Sequence, residues 1–525
     1  MESVLINGEW RAAAAIGRFR AIDPASGEEI GAEFPRSGAE DIEQAVVAAT
    51  QAVDALMATP PERIAAFLDA YADGIEAAKD ALVAVAHAET GLPASPRLAD
   101  VELPRTSGQL RQAAQAVRSH AWTHPVIDTR ARLRAHFAPL GKPVLVFGPN
   151  NFPFAFNAVA GSDFASAIAA RNPVIAKAHP SHPGTSRLLA AIALDAIVQA
   201  GLPRAALQLL YEIDPMQGLT LAGDARIGAI GFTGSRAAGM ALKASADAAG
   251  IPMYAEMSSV NPVFLLPGAL RERGSEIADG FFQSCTMGGG QFCTNPGMVL
   301  VPAGAHGDAF VAQVAEKFAA AAPAVLLSAG VQRHLVASAQ SLVDAGASVL
   351  AGTIGAAGVG ARHVPVLLSV DARTFFAHAA ALQREAFGPV SLLVRYDNIE
   401  DAVAIARTLE GNLTGSLWSA GDGGDDAAYA RVAHALRPRV GRLIDDKWPT
   451  GVAVSPAMQH GGPYPSTSHP GFTSVGMPGA ILRFAQLQSY DGVRDDRLPH
   501  ALRNANPDRI QRCVDGRWTD ASIDA

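Results

Sequence analysis

Apolar residues recur at three- and four-residue spacing from Asp41 to about Ala88, through DIEQAVVAATQAV and PERIAAFLDAYADGIEAAKDALVAVAHAET. That period predicts amphipathic helices. Gly91 and Pro93 stop the run, and RTSGQLRQAAQAVRSH begins a second helical run at Arg105. Ahead of the helices, SVLINGEW (residues 3–10) reads as strand around an Asn-Gly turn, a hairpin signal. From Pro143 the texture changes. PVLVFGPNNFPF is an apolar strand that runs into a Gly/Pro/Asn turn, and ARNPVIAKAHPSHPG holds another that ends at Lys177. AALQLLYEI and ARIGAIGFTGSRAAGMAL supply two more. Strands alternating with helices predict an α/β fold with a mostly parallel, doubly wound sheet, whose ligands bind beyond the carboxyl ends of the strands. Asn151, Lys177 and Ser235 all fall there.

A second alternation starts near Asn261, with strands in NPVFLLPGA, MVLVPAG, ASVLAG and VSLLVRY and helices around 275–285, 306–322 and 399–409. It predicts a second α/β domain. TRARLRAH, from Thr129 to His136, fits a projecting strand and a surface helix equally well. The stretch from about 486 to 525 is polar with a sparse core, and its VDGRW echoes INGEW by coincidence or as a related hairpin.

Composition narrows the class. A chain of 525 residues exceeds what one core supports, so two or three domains are expected. A formal charge of −8 argues against nucleic acid or an anionic membrane as the main partner. Three cysteines make no disulfide framework and suit a reducing compartment. MESVLINGEW is not a secretory signal, and no apolar run reaches the roughly 18 residues of a membrane span. A cytoplasmic protein is the expectation.

The candidate chemistry centres on SCTMGGGQFCTNPG, Ser284 to Gly297, which carries Cys285 and Cys293. Gly288, Gly289 and Gly290 let the backbone take positive φ and approach a ligand. GFTGSRAAG, Gly231 to Gly239, is a glycine-rich strand-to-helix turn suited to a phosphate. Asn151 is the kind of amide that stabilises an oxyanion, and Glu256 a carboxylate able to act as general base. Each has an ordinary alternative. Cys293 reads equally as an inert thiol, Ser235 as a helix cap, Asn151 as an Asx-turn residue, Lys177 as a solvated strand end, and Glu256 and Glu385 as terminal charges.

Their order is what discriminates. NNFPF, VIAKAHPSHPG, FTGSRAAG, AEMSSVNP, GQFCTNPG and EAFGPV together resemble the NAD(P)-dependent aldehyde dehydrogenase superfamily, over nearly the whole chain. The resemblance implies a cofactor domain from 1–121 and 141–257, a catalytic domain from 258–470, and a small β oligomerisation extension from 122–140 and 471–525. It implies a homodimer or homotetramer acting on a small aldehyde, with no metal. Cys293 would be the nucleophile, Cys285 would have no such role, Asn151 and the Cys293 N–H would hold the oxyanion, and Glu256 would activate the hydrolytic water. Lys177, Ser181, Gly234, Ser235, Gly239, Glu385 and Phe387 would hold the cofactor. The three glycines would let nicotinamide and aldehyde reach the sulfur from opposite sides.

Two departures refine this. NAD-preferring members often carry a glutamate three residues after the lysine, where this chain has Pro180, so NADP should be tolerated or preferred. Ser258-Ser259 stands where many members have Gly-Gly. These features, with DKWPTGVAVSPAMQHGGPYPSTS, resemble the branch of α-ketoglutarate semialdehyde and NADP-dependent fatty aldehyde dehydrogenases. The first of these substrates carries a carboxylate, for which Arg105, Gln109 and Lys447 are candidate partners. The same chemistry on medium or long aliphatic aldehydes is the alternative, and a catalytically silent homologue is the alternative of another class.

Overall fold

The Asn-Gly signal is realised as a hairpin. Val4–Ile6 pairs antiparallel with Glu9–Arg11, and Asn7 (φ 55°) and Gly8 (φ 71°) take the left-handed conformations of a two-residue turn. In the computed structural model, which describes residues 1–524, this hairpin closes one edge of a seven-stranded sheet. From the opposite edge the order is Met253–Glu256, Ala229–Thr233, Val144–Phe147, Val174–Lys177, Leu207–Leu210, Val4–Ile6 and Glu9–Arg11. The first five are parallel. The chain leaves Val144–Phe147 in one direction and returns on its other side at Ala229–Thr233, so a topological switch point lies between these strands. The turns bearing Asn151 and Ser235 flank it.

Helices cover this sheet as the apolar period requires. Pro61–Ala77 and Lys79–Thr90 are separate helices, and Gly91 ends the second in the left-handed conformation (φ 65°). Phe67, Tyr71 and Phe164 interlock in the core. The buried Tyr71 hydroxyl lies 3.0 Å from the Val159 carbonyl and 3.1 Å from that of Leu189.

The second sheet also has seven strands, ordered Ser348–Ala351, Val366–Asp371, Val390–Tyr396, Met298–Pro302, Val263–Leu265, Asn412–Trp418 and Val440–Asp445. All neighbours are parallel except the antiparallel edge strand Ser348–Ala351. The expected helices appear as Pro267–Thr286, Ala305–Ala319 and Ile399–Thr408. Asn412–Trp418 is buried on both faces, its polar Asn412, Thr414 and Ser416 as fully as its leucines.

A five-stranded sheet joins distant segments: Ala485–Asp491, Leu133–Pro139, Val126–Asp128, Arg512–Val514 and Arg517–Thr519. TRARLRAH therefore divides into a turn and the start of a strand. VDGRW is a hairpin like INGEW, with Asp515 (φ 48°) and Gly516 (φ 80°) in its turn. No helix among the described residues is long and apolar enough to cross a membrane.

One buried ion pair ties the first domain to the segment after the second sheet. Arg483, fully buried, meets Asp163 at 2.5 Å. Arg483→Met strands the Asp163 carboxylate, and we expect a loss of about 3–5 kcal/mol in unfolding free energy by urea titration. Adding Asp163→Asn should recover part of it. A loss below about 1 kcal/mol in the single variant would show that water reaches Asp163.

Candidate active site

Cys293 follows a tight 3-10 turn, Met287–Gly290, in which Gly288, Gly289 and Gly290 have φ of 57°, 68° and 69°. A Cβ on Gly290 would stand 2.3 Å from the Gly388 carbonyl, and one on Gly288 would stand 2.9 Å from the Phe292 ring. The glycines thus serve close packing of the turn against its own neighbours. The expectation that they clear two approaches to the sulfur has no counterpart in these contacts.

The cysteine loop is held from below by amides. Asn261 Nδ2 donates to the carbonyls of Cys293 and Asn295, both at 2.9 Å. Asn261 Oδ1 in turn lies 2.9 Å from the Ser259 hydroxyl and accepts from Thr414 Oγ1 at 3.0 Å. Ser259, one of the two departures from Gly-Gly, is therefore part of the cradle.

Cys293 Sγ lies 3.4 Å from His460 Nε2, and the same nitrogen lies 3.1 Å from Glu256 Oε1. Ser474 Oγ donates to Glu256 Oε2 at 3.0 Å. Glu256 and His460 are both buried. Glu256 ends an edge strand of the first sheet, Cys293 leads into the second, and His460 comes from the segment that follows it. That segment covers the edge strand. Met257 N–H donates to Ser466 O at 2.8 Å, Ser468 N–H to Ala255 O at 3.0 Å, and Glu256 bridges to Thr467.

Burial pushes the Cys293 thiol well above its ordinary range, and the negative charge of Glu256 pushes it further, while Arg105 opposes both. Burial alone would also raise Glu256, but His460, the Cys293 thiol and the Ser474 hydroxyl outweigh it and hold the carboxyl below its usual value. Cys285 is fully buried at the end of Pro267–Thr286, with its thiol pushed up to about 12 by desolvation.

Asn151 sits in the turn beyond Val144–Phe147, and its Nδ2 donates to Gln291 O at 3.0 Å, next to the cysteine loop. The turn is clamped from outside. Arg97 Nη2 donates to Asn151 O at 2.9 Å, Arg97 pairs with the buried Glu102, and Glu102 Oε1 accepts the N–H groups of Phe154 and Ala155 at 2.8 and 3.0 Å. Among the described residues nothing bonds to the Cys293 N–H.

The remaining candidates lie along the crevice. Lys177 ends its strand half-buried, and desolvation draws its ammonium down to about 8 against the pull of Glu212. Ser181 is half-buried nearby, its N–H donating to His179 Nδ1 at 3.1 Å. Gly234 and Ser235 are exposed beyond Ala229–Thr233. Ser235 also caps the helix Arg236–Ala248, accepting Ala238 N–H at 3.3 Å. Gly239 packs within that helix, where a Cβ would meet Met257 Sδ at 2.9 Å. Glu385 and Phe387 line a small cavity with Gly290, Phe292 and Asn295, and burial raises Glu385 to about 7 against the Ser258 hydroxyl and Ser259 N–H. An ammonium and an exposed helix N-terminus beyond the carboxyl ends of strands of one sheet are chemistry suited to the ribose and phosphate groups of a dinucleotide. Of the carboxylate partners considered, Gln109 donates to Ala155 O at 3.0 Å, Lys447 is exposed, and Arg105 is taken up below.

His460, Ser474, Arg97 and Glu102 were not singled out from sequence. The usable signal for His460 was its place in QHGGPYP, a loop whose glycines let it pack closely: a Cβ on Gly462 would stand 2.4 Å from Asn412 O.

A cysteine touching an imidazole that touches a carboxylate, at the carboxyl ends of a doubly wound sheet, is an arrangement suited to covalent thiol chemistry. The chain belongs to the aldehyde dehydrogenase family, whose model matches residues 10–468. It is 42% identical to α-ketoglutaric semialdehyde dehydrogenase 2 of Azospirillum brasilense, over 98% of each chain. It is 34% identical to the α-ketoglutaric semialdehyde dehydrogenase of Acinetobacter baylyi, again over 98% of each. Among solved structures, a mutant of aldehyde dehydrogenase C from Pseudomonas syringae, complexed with NAD+ and octanal, superposes with a TM-score of 0.79 at 21% identity, covering 95% of this chain and 98% of that one. The protein is an NAD(P)-dependent aldehyde dehydrogenase.

The charge arrangement has a measurable outcome. Glu256→Gln removes a negative charge that disfavours the thiolate, so iodoacetamide should alkylate Cys293 about tenfold faster at pH 7, in a Cys513→Ser background. Cys285 should stay unlabelled. A slower rate would mean that Glu256 promotes thiolate formation more than its charge opposes it.

Proposed function

We propose that this enzyme oxidises α-ketoglutaric semialdehyde to α-ketoglutarate. The full-length kinship to two dehydrogenases of that substrate carries the reading, and the cluster of Cys293, His460 and Glu256 supports the chemistry. Because burial and Glu256 hold the thiol up, it needs a base in contact, and His460 Nε2 is the group beside it. The His460–Glu256 pair takes the thiol proton, with Nε2 between Sγ and Oε1, as Sγ adds to the aldehyde carbon. The Asn151 amide, turning from Gln291, and the Cys293 N–H receive the oxyanion. NAD(P)+ would supply the hydride acceptor when bound, where Lys177, Ser181, Ser235 and the turn Gly234 to Gly239 would hold its adenosine and phosphate groups and Glu385 and Phe387 its nicotinamide half. Pro180 presents no carboxylate to a 2′-phosphate, which supports use of NADP as well as NAD. Glu256 then takes a proton from the water that attacks the thioester, and Cys293 leaves as the thiolate that His460 reprotonates.

The free state of all three cysteines supports a cytoplasmic setting. The outer strands of the five-stranded sheet expose Leu487 (72%) and Trp518 (65%), which supports self-association into a homodimer or homotetramer through that sheet.

We expect kcat/KM for α-ketoglutaric semialdehyde to exceed that for hexanal at least tenfold with either cofactor. Preference for hexanal would transfer the substrate to the aliphatic aldehydes and leave the mechanism standing. His460→Ala should lower kcat/KM by about 10²–10⁴ at pH 7 and recover partly as pH rises and the thiol ionises unaided. A loss that is flat with pH would remove His460 from the proton transfer.

A further inference from the structure

Next to the cluster lies a box of aromatic side chains. Phe152, Phe156 and Phe292 meet edge to face, with centroids of Phe152 5.3 Å from Phe156 and 5.5 Å from Phe292, and Val475 and Met458 complete the packing. These residues adjoin Asn151, Cys293, Ser474 and His460 in the chain, so the box is the apolar wall beside the reacting sulfur. Three guanidinium groups border this region. Two are spoken for. Arg97 is paired with Glu102 and bonded to Asn151 O, and Arg442 donates to the carbonyls of Pro449 and Gly451.

Arg105 is different. Its guanidinium carbon stacks 5.4 Å from the Phe152 centroid and 5.0 Å from that of Phe156. Its Nε and Nη2 atoms are buried with no hydrogen-bond partner among the described residues. The positive charge is close enough to oppose the upward shift of the Cys293 thiol, and no carboxylate is hydrogen-bonded to it. Arg105 is half-buried, and leaving two buried guanidinium nitrogens unpartnered is costly; a folded chain keeps such an arrangement where a ligand completes it. Its planar fork, held against aromatic faces, matches a carboxylate in two parallel hydrogen bonds.

We infer that Arg105 is the residue that binds the distal carboxylate of the aldehyde substrate, with the Phe152, Phe156 and Phe292 rings holding the methylenes between. This rests on the reading of the substrate as α-ketoglutaric semialdehyde and names the group that recognises it. In that substrate about 5 Å separates the aldehyde carbon from the carboxyl carbon when extended. Bidentate capture would fix the aldehyde at the sulfur and exclude neutral aldehydes, which leave the charge unpaired. Gln109, one helical turn along Leu103–Arg118, presents a buried Oε1 without a partner, an acceptor that offers the carboxylate nothing.

The test compares kcat/KM for α-ketoglutaric semialdehyde, 5-oxopentanoate and pentanal in the wild type, Arg105→Met and Arg105→Lys. The thiol is common to all three substrates, so changes in its acidity or in the fraction of folded enzyme cancel in the ratios. We expect the wild type to favour both carboxylated substrates over pentanal, Arg105→Met to lose about 10²-fold of that preference, and Arg105→Lys to keep an intermediate part. A preference retained in Arg105→Met would overturn the role of Arg105 and leave the substrate reading intact. A wild type without preference for the carboxylated aldehydes would overturn both. A second readout is independent of turnover: glutarate should slow iodoacetamide labelling of Cys293 in the wild type and not in Arg105→Met, and equal protection in both would count against the proposal.

Discussion

The site depends on the covering of one sheet edge. Met253–Glu256 is an edge strand, with unpaired backbone groups on its outer side, and the segment around Thr467 supplies partners for them. The Ser468 side chain adds to this, accepting Ala255 N–H at 2.8 Å and donating to Met253 O at 2.6 Å. Satisfying the backbone of that strand is what draws His460 and Ser474 onto Glu256. The Glu256 backbone is thereby seated by main-chain hydrogen bonds, and its carboxylate is met by His460 and Ser474.

The electrostatics follow from that burial. The thiol and the carboxylate act on each other's proton affinity: Glu256 raises Cys293, and the Cys293 thiol helps to lower Glu256. Glu256 works against the thiolate while staying ionised itself, and the nearby cationic groups set the balance. An ionised carboxylate is what the proposed hydrolytic step requires, and the imidazole lets Glu256 stay so beside the proposed nucleophile. The outer clamp of Arg97 and Glu102 fixes the Asn151 turn by the same means, pairing a buried charge and satisfying the N–H groups of Phe154 and Ala155.

Much of this was legible in the sequence where the signal is local. Asn7-Gly8 announces its hairpin because few other pairs take positive φ twice, and the strands ending at Phe147, Lys177 and Thr233 are short apolar runs closed by turn residues. Cys293, Glu256 and Asn151 could be placed from motifs in order. His460 could not, since a histidine 204 residues from Glu256 in a glycine- and proline-rich loop has no local period or spacing to mark it. Arg105 stood in the sequence as one of three candidate carboxylate partners, with nothing local to separate it from Gln109 and Lys447; its aromatic neighbours come from a different segment. For the three glycines positive φ was readable, whereas what stands against the vacant Cβ position of Gly290 was not, since it is Gly388, almost a hundred residues on.

The spacing of the cluster along the chain also orders its assembly in time. The thiol precedes its imidazole by 167 residues, and at roughly 5–20 residues per second of synthesis that is about 10–30 s. During that interval the edge strand is uncovered and Cys293 is without its imidazole neighbour. The cluster therefore forms only when the returning segment closes over Glu256.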